Sequence, residues 1–254
     1  MLSRRHATLA LIVFVGLALI GSAAGQTPKG VGAKGVRVLF VGNSYTYFND
    51  LPWVVSELGR CAKPPIKIHA ERSVRPGATL ERHWKDGAAK KAITSAKWDW
   101  VVLQEQSQRP IGDRPLMESS AKQFHEVIAK RKARTLFFMT WAREHKPDMQ
   151  KGLTKSYTEI AAKLGAEVAP VGIAWQTVRK QRPKLKLHTN DRSHPNPTGT
   201  YLSALVFFAK LTGTNPVGLP ARLEKDGKAV IALSKKDAAW LQGVARDVVR
   251  GRRK

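Results

Sequence analysis

Short apolar runs and longer stretches with an apolar residue every three or four positions take turns along most of this chain. The first run, Val36-Arg37-Val38-Leu39-Phe40-Val41, ends at Gly42 and reads as a strand. After a loop, Asp50 stands where it can cap a helix that carries Pro52 in its first turn and Trp53, Val54, Val55 and Leu58 along its length. Strands are predicted again at residues 66–69, 100–104, 135–140 and 166–171, and helices at 79–93, 117–130 and 152–164. A short helix at 176–182, an apolar one at 200–211 and a last one at about 235–249 complete the pattern. Such alternation predicts an α/β fold, a three-layer sandwich with a central parallel sheet and helices on both faces. Sheets of this kind place their working residues in loops just beyond the carboxyl ends of the strands.

The N-terminus breaks the pattern. Arg4, Arg5 and His6 precede an apolar run from Leu9 to Ile20, and the small residues Gly21-Ser22-Ala23-Ala24-Gly25 follow. This is the layout of a secretory signal peptide over residues 1–25, with cleavage expected near Ala24 or Gly25. The run is shorter than the roughly 20 residues that cross a bilayer, so a retained anchor is the alternative. Residues 26–35, rich in Gly, Lys and Pro, read as a lead-in, residues 36–249 as one domain, and residues 250–254 as a basic tail. At 254 residues and 43% hydrophobic, the chain suits one sizeable core. The expected product is exported and soluble.

Charge and cysteine usage narrow the classes further. Lysine and arginine number 44 against 19 acidic residues, a formal net charge of +25. The basic residues are spread along the chain, with no zinc-finger or RNA-binding signature, so specific nucleic-acid recognition is not expected. Nonspecific contact with polyanions is, through a solvated basic surface. Cys61 is the single cysteine and lies in a predicted helix without metal-ligand spacing around it, so it reads as a packed thiol. His69, His83, His125, His145 and His188 form no H-x-x-x-H or H-E-x-x-H pair, and no metal or other cofactor is expected. Trp98, Trp100, Trp141 and Trp175 fall near predicted strand ends, where core packing is the default and contact with substrate the alternative.

Two segments carry candidate chemistry. Gly42-Asn43-Ser44 directly follows the first strand, where glycine permits a tight turn and the Ser44 hydroxyl can stand at the sheet edge. Asp191 and His194 lie three residues apart in a polar loop near the C-terminus. A serine hydroxyl is a poor nucleophile at neutral pH; it needs an imidazole to take its proton and an acid to hold the right tautomer. Each feature has a plain alternative, a helix cap for Ser44 and a chance pair for Asp191 and His194. Their joint arrangement is what points to a nucleophilic hydrolase.

On these residues the chain resembles the SGNH, or GDSL-like, hydrolase superfamily, whose nucleophile follows the first strand and whose D-x-x-H block closes the domain. The resemblance spans roughly residues 36–211. Gly42-Asn43-Ser44 is similar to the family's G-x-S block, with Asn43 where aspartate is commoner, and His194-Pro195-Asn196 leads into the last helix as the closing block does. The resemblance implies a flavodoxin-like sandwich and a catalytic triad of Ser44, Asp191 and His194. It also implies an oxyanion hole made by the Ser44 amide, the Gly77 amide after the second strand, and a third-block side chain. The usual G-x-N-D is replaced here by Gln104-Glu105-Gln106-Ser107, which looks like the glutamine-bearing block of sialate acetylesterase-like branches. Gln104 is the expected third donor, with Gln106 the fallback. The activity implied is hydrolysis of short-chain esters, acetyl groups on carbohydrate above all. A lipase or thioesterase on the same scaffold, or an idle polyanion-binding protein, are the alternatives.

Overall fold

The structure, a computed structural model, describes residues 35–252. The expected signal segment, nearly all of the lead-in and the end of the basic tail lie outside these residues. Val36–Gly42 forms β1, and its alternation sets the layers: Val38 and Phe40 pack on one side of the sheet, Leu39 and Val41 on the other. Chain order continues with α1 (Ser44–Tyr47), α2 (Leu51–Cys61), β2 (Ile68–Val74), α3 (Leu80–Asp86), α4 (Ala88–Ser95) and β3 (Trp100–Leu103). Next come α5 (Arg109–Gly112), α6 (Arg114–Lys130), β4 (Arg134–Phe138), α7 (Met149–Leu164), β5 (Glu167–Ala169) and α8 (Val171–Gln181). The polar loop leads into α9 (Pro197–Thr212), a hairpin of β6 (Arg222–Lys225) and β7 (Lys228–Ala232), and α10 (Lys235–Val249).

The first five strands form one sheet in the order β2-β1-β3-β4-β5, and every pair is parallel. Apolar residues of α2, α8, α9 and α10 cover one face; those of α3, α4, α6 and α7 cover the other. This is the expected three-layer sandwich. β3 is buried along its whole length, which is why Trp100-Val101-Val102-Leu103 reads as an unbroken apolar run. β2, at the sheet edge, extends to Val74, well past the predicted end; its outer residues are half solvated, so they carry no apolar period.

Other departures have local causes. The helix predicted at 79–93 is two helices, because Gly87 takes φ +75° and ends α3 with its N–H on the His83 carbonyl. Asp50 stands at the N-cap of α2 but does not cap it; its carboxylate receives Arg72 at 2.8 Å and Lys225 at 2.6 Å. The β6–β7 hairpin was not anticipated, although its turn is Asp226-Gly227, both with positive φ. Only Leu223 and Ile231 of the hairpin are buried, too few to show as an alternating pattern. The parallel sheet matters for chemistry because it brings the segments after β1, β2, β3 and β4 to a single edge.

Candidate active site

The turn after β1 is built around one oxygen. Gln104 Oε1 accepts the Asn43 backbone N–H at 2.8 Å and the Thr46 hydroxyl at 3.0 Å. A Cβ at position 42 would lie 2.5 Å from that oxygen, so the approach of turn to amide requires glycine. Asn43 completes the frame: its Oδ1 accepts the Tyr45 N–H at 3.1 Å, and its Nδ2 donates to the Ala78 carbonyl at 3.0 Å. From behind, the buried His83 donates Nε2–H to the Gly42 carbonyl at 2.8 Å; burial holds its pKa below the usual histidine range. Ser44 therefore begins α1 at a fixed position, half exposed.

The polar loop supplies the other two groups. It is closed by the Thr189 N–H to His194 carbonyl and the Asn196 N–H to Leu187 carbonyl bonds, each 2.9 Å. Asp191 Oδ1 accepts the Thr189 hydroxyl at 2.7 Å and the Ser193 and His194 backbone N–H groups at 2.9 Å. Its Oδ2 faces His194 Nδ1, and His194 Nε2 lies 2.7 Å from Ser44 Oγ. Burial works against the charged carboxylate, but the hydrogen bonds from His194, Thr189 and the loop amides outweigh it and hold the Asp191 pKa well below the usual range. An ionised Asp191 places the proton on His194 Nδ1 and leaves Nε2 as acceptor toward the serine hydroxyl.

Aromatic packing fixes the imidazole. Phe48 stacks on the His194 ring at 4.3 Å and 15°, and Tyr45 meets it edge-on at 5.6 Å. Tyr45 stacks in turn on Trp141 at 4.5 Å, and Trp141 on Trp175 at 3.9 Å. Trp141 Nε1 donates to the Ser193 carbonyl at 3.0 Å, and the Tyr45 hydroxyl lies 2.6 Å from Ser193 Oγ. Both tryptophans are almost fully buried and back the loop. Trp98 and Trp100 likewise belong to the cores. Phe48 and Tyr45, which no motif marked, are part of the site because α1 is only one turn long.

In the third-strand block the Gln104 side chain is fully buried; its oxygen braces the Gly42–Thr46 turn and its Nε2 donates to the Glu105 carbonyl at 2.7 Å. It serves as a strut of the turn, with its amide out of reach of solvent. Gln106 is differently placed. Its Oε1 accepts the Gln108 and Arg109 N–H groups at 2.8 and 3.1 Å, and its Nε2 has no acceptor among the described residues, on a half-exposed side chain. Gly77 lies in an exposed turn at φ +61°, linked to the Ser44 turn through the Ala78–Asn43 bond. Neither the Ser44 nor the Gly77 backbone N–H has an acceptor among the described residues.

Glu105 is buried beside this block, accepting the Gln106 N–H at 2.6 Å and the Leu80 N–H at 3.2 Å. Burial pushes its carboxyl up to about 7, although those amides and Arg109 pull the other way. A carboxyl with a raised folded pKa stabilises the fold below its unfolded value, 4.5, and loses that contribution as pH rises through 7. Glu105→Gln keeps the acceptor oxygen and is expected to exceed the parent in stability at pH 8 by up to about 3 kcal/mol. The difference should vanish below about pH 4.5. His188, pushed down to about 4 by burial, titrates in both proteins and cancels in the comparison. Urea unfolding of both proteins across pH 4–8 tests this; a constant difference would show that Glu105 does not titrate there.

The remaining histidines do other work. His188 sits buried with Nε2 on the Ala142 carbonyl at 3.1 Å, His125 meets Thr135, and His69 meets Glu71. Among the described residues no group of three His, Cys, Asp or Glu side chains is placed to hold a metal. A cavity of about 410 Å³, lined by Trp175, Arg179, Lys186 and His188 among others, lies behind the polar loop and includes none of Ser44, Asp191 and His194. Hydrogen-bond geometry, not cavity shape, locates the site.

No family model matches the sequence, and no curated protein matches it as a relative. Solved structures do. A candidate SGNH hydrolase from Slackia heliotrinireducens is 26% identical with a TM-score of 0.61, covering 69% of this chain and 98% of its own. A DUF4886 family protein from Bacteroides uniformis is 19% identical with a TM-score of 0.71, covering 86% and 96%. An acetylxylan esterase from Geobacillus stearothermophilus is 17% identical with a TM-score of 0.56, covering 72% and 95%. With the five-stranded parallel sheet between two helical layers, these likenesses show that the chain has the fold of the SGNH hydrolases.

Proposed function

We propose that this protein is an exported serine esterase that removes short acyl groups, acetyl above all, from carbohydrate. The observation that carries the reading is the unbroken hydrogen-bond chain from Asp191 through His194 to Ser44 Oγ. Ser44 Oγ attacks the ester carbonyl as its proton passes to His194 Nε2, and the carbonyl oxygen becomes an oxyanion. The Ser44 and Gly77 amides and the Gln106 side-chain amide are the donors we assign to it. His194 then delivers its proton to the departing alcohol, leaving an acyl-enzyme on Ser44. Water, deprotonated by the same imidazole, releases the acid. The acetylxylan esterase among the structural neighbours supports the acyl and sugar assignments, and the N-terminal sequence pattern supports export. A lipase/acylhydrolase from Enterococcus faecalis, 15% identical with a TM-score of 0.58, keeps a long-chain reading in view.

The test is a screen of purified protein against nitrophenyl esters of increasing acyl length, alongside acetylated sugars. The expected result is a kcat/KM maximum at acetyl with a fall as the chain lengthens. A maximum at long chains would transfer the reading to a lipase or thioesterase. No turnover of any ester would leave an idle scaffold whose basic surface holds polyanions.

A further inference from the structure

Arg143 follows β4 in the segment that crosses the same sheet edge as Ser44 and Gln106. Its backbone is pinned from several sides: the preceding Ala142 N–H bonds Gln150 Oε1 at 2.9 Å, and the following Glu144 N–H bonds the Arg192 carbonyl of the polar loop at 2.9 Å. The Arg143 carbonyl itself accepts from Arg179 at 3.4 Å. Its guanidinium, by contrast, is poorly satisfied. No carboxylate pairs with it among the described residues; Glu144 beside it pairs with Lys186 at 3.2 Å instead. Nη2 reaches Ser107 Oγ only at 3.5 Å, and Nε is buried with no acceptor among the described residues.

The position of this group is what gives it meaning. Ser107 directly follows Gln106, and burial raises the pKa of Tyr45, the residue after Ser44, against the pull of Ser193, Ser107 and the Arg143 charge. The carboxylate of the facing loop, Asp191, is committed to His194 and Thr189. Arg192, exposed on that loop, is a second guanidinium without a carboxylate partner among the described residues. An arginine cannot shed its charge, and burying part of its fork unpaired is costly unless something else supplies the acceptors. Its planar donors match the paired oxygens of a carboxylate.

We propose that Arg143 binds an anionic group of the substrate, so that the preferred ester is an acylated sugar acid or similar carboxylate-bearing alcohol. This rests on the esterase reading above. The net charge of +25 adds long-range attraction for the same class of molecule. Arg143 acts on recognition and leaves the bond-breaking steps to the Ser44 chain of hydrogen bonds.

The test pairs two substrates that differ only in charge: an acetylated methyl galactoside and the corresponding acetylated methyl galacturonoside. The acidic one is expected to have a kcat/KM about 10- to 100-fold higher, carried by KM, as a charged hydrogen-bond pair allows. Arg143→Gln should bring the ratio toward one, and Arg143→Lys should restore part of it, since lysine keeps the charge but loses the fork. A ratio near one in the parent protein, or an equal loss on both substrates in Arg143→Gln, would overturn the inference. A binding arm separates it from the esterase reading: Ser44→Ala protein is titrated calorimetrically with the unacetylated galacturonoside and galactoside. Acid-selective binding that Arg143→Gln abolishes, without turnover by the parent, would sink the esterase reading alone. Turnover without acid preference would sink the anion site alone.

Discussion

Ser44→Ala is expected to lower kcat for ester hydrolysis by about 10⁴- to 10⁶-fold, the scale seen when a serine hydrolase loses its nucleophile. The fold should survive. The Ser44 hydroxyl makes its one hydrogen bond to His194, is half exposed and caps nothing, since Asn43 receives the Tyr45 N–H. The thermal midpoint should therefore move by only a few degrees. His194→Ala should cost about as much activity, because without the imidazole nothing at Ser44 can take the proton. Asp191→Asn probes orientation separately. Asparagine could keep one oxygen for the Thr189, Ser193 and His194 donors, but its Nδ2 would then face His194 Nδ1 and force the opposite tautomer. Its loss should fall between little and that of Ser44→Ala. Circular dichroism and steady-state kinetics on the purified variants decide the matter. A folded Ser44→Ala protein with a near-parental rate would remove the basis of the proposed function.

Gln106→Ala should lower kcat by about 10²- to 10³-fold with little change in KM, as expected for a donor aimed at charge that develops only in the transition state. Because Gln106 Oε1 also accepts the Gln108 and Arg109 N–H groups, alanine should cost roughly 1 kcal/mol of stability as well. Gln106→Glu separates the two effects: the acceptor oxygen stays, while a negative charge replaces the amide that would meet the oxyanion. Its kcat should fall further than that of the alanine variant, with those two hydrogen bonds intact. Gln104→Ala should behave in the opposite way. It strips acceptors from the buried Asn43 N–H and the Thr46 hydroxyl, each loss worth about 1–3 kcal/mol. For a domain of this size the midpoint should drop by about 2–4 °C per kcal/mol. Activity should decline with the folded fraction and with drift of the nucleophile turn. A stable Gln104→Ala with collapsed kcat, beside a normal Gln106→Ala, would return the donor role to Gln104.

The sequence by itself determined the parallel sandwich, because the periods of Val36–Val41, Trp100–Leu103 and the intervening helices are short-range signals that burial on two faces writes directly into residue type. It also marked Ser44, Asp191 and His194, since a turn glycine after a strand and a carboxylate three residues before a histidine are both local. Whether they meet was not local: Ser44 and His194 are 150 positions apart, and only the tertiary fold, with Asn49 bonded to the Pro195 carbonyl and the Thr200 hydroxyl, closes that distance. Burial separates the two glutamines. Gln104 and Gln106 look interchangeable in the chain, yet Gln104, directly after β3, is fully buried, where the N–H of Asn43, 61 positions away, claims its oxygen, while Gln106 lies half exposed. The solitary guanidinium of Arg143 was equally hidden among 44 basic residues, because a missing partner is a property of three-dimensional neighbours and leaves no pattern along the chain.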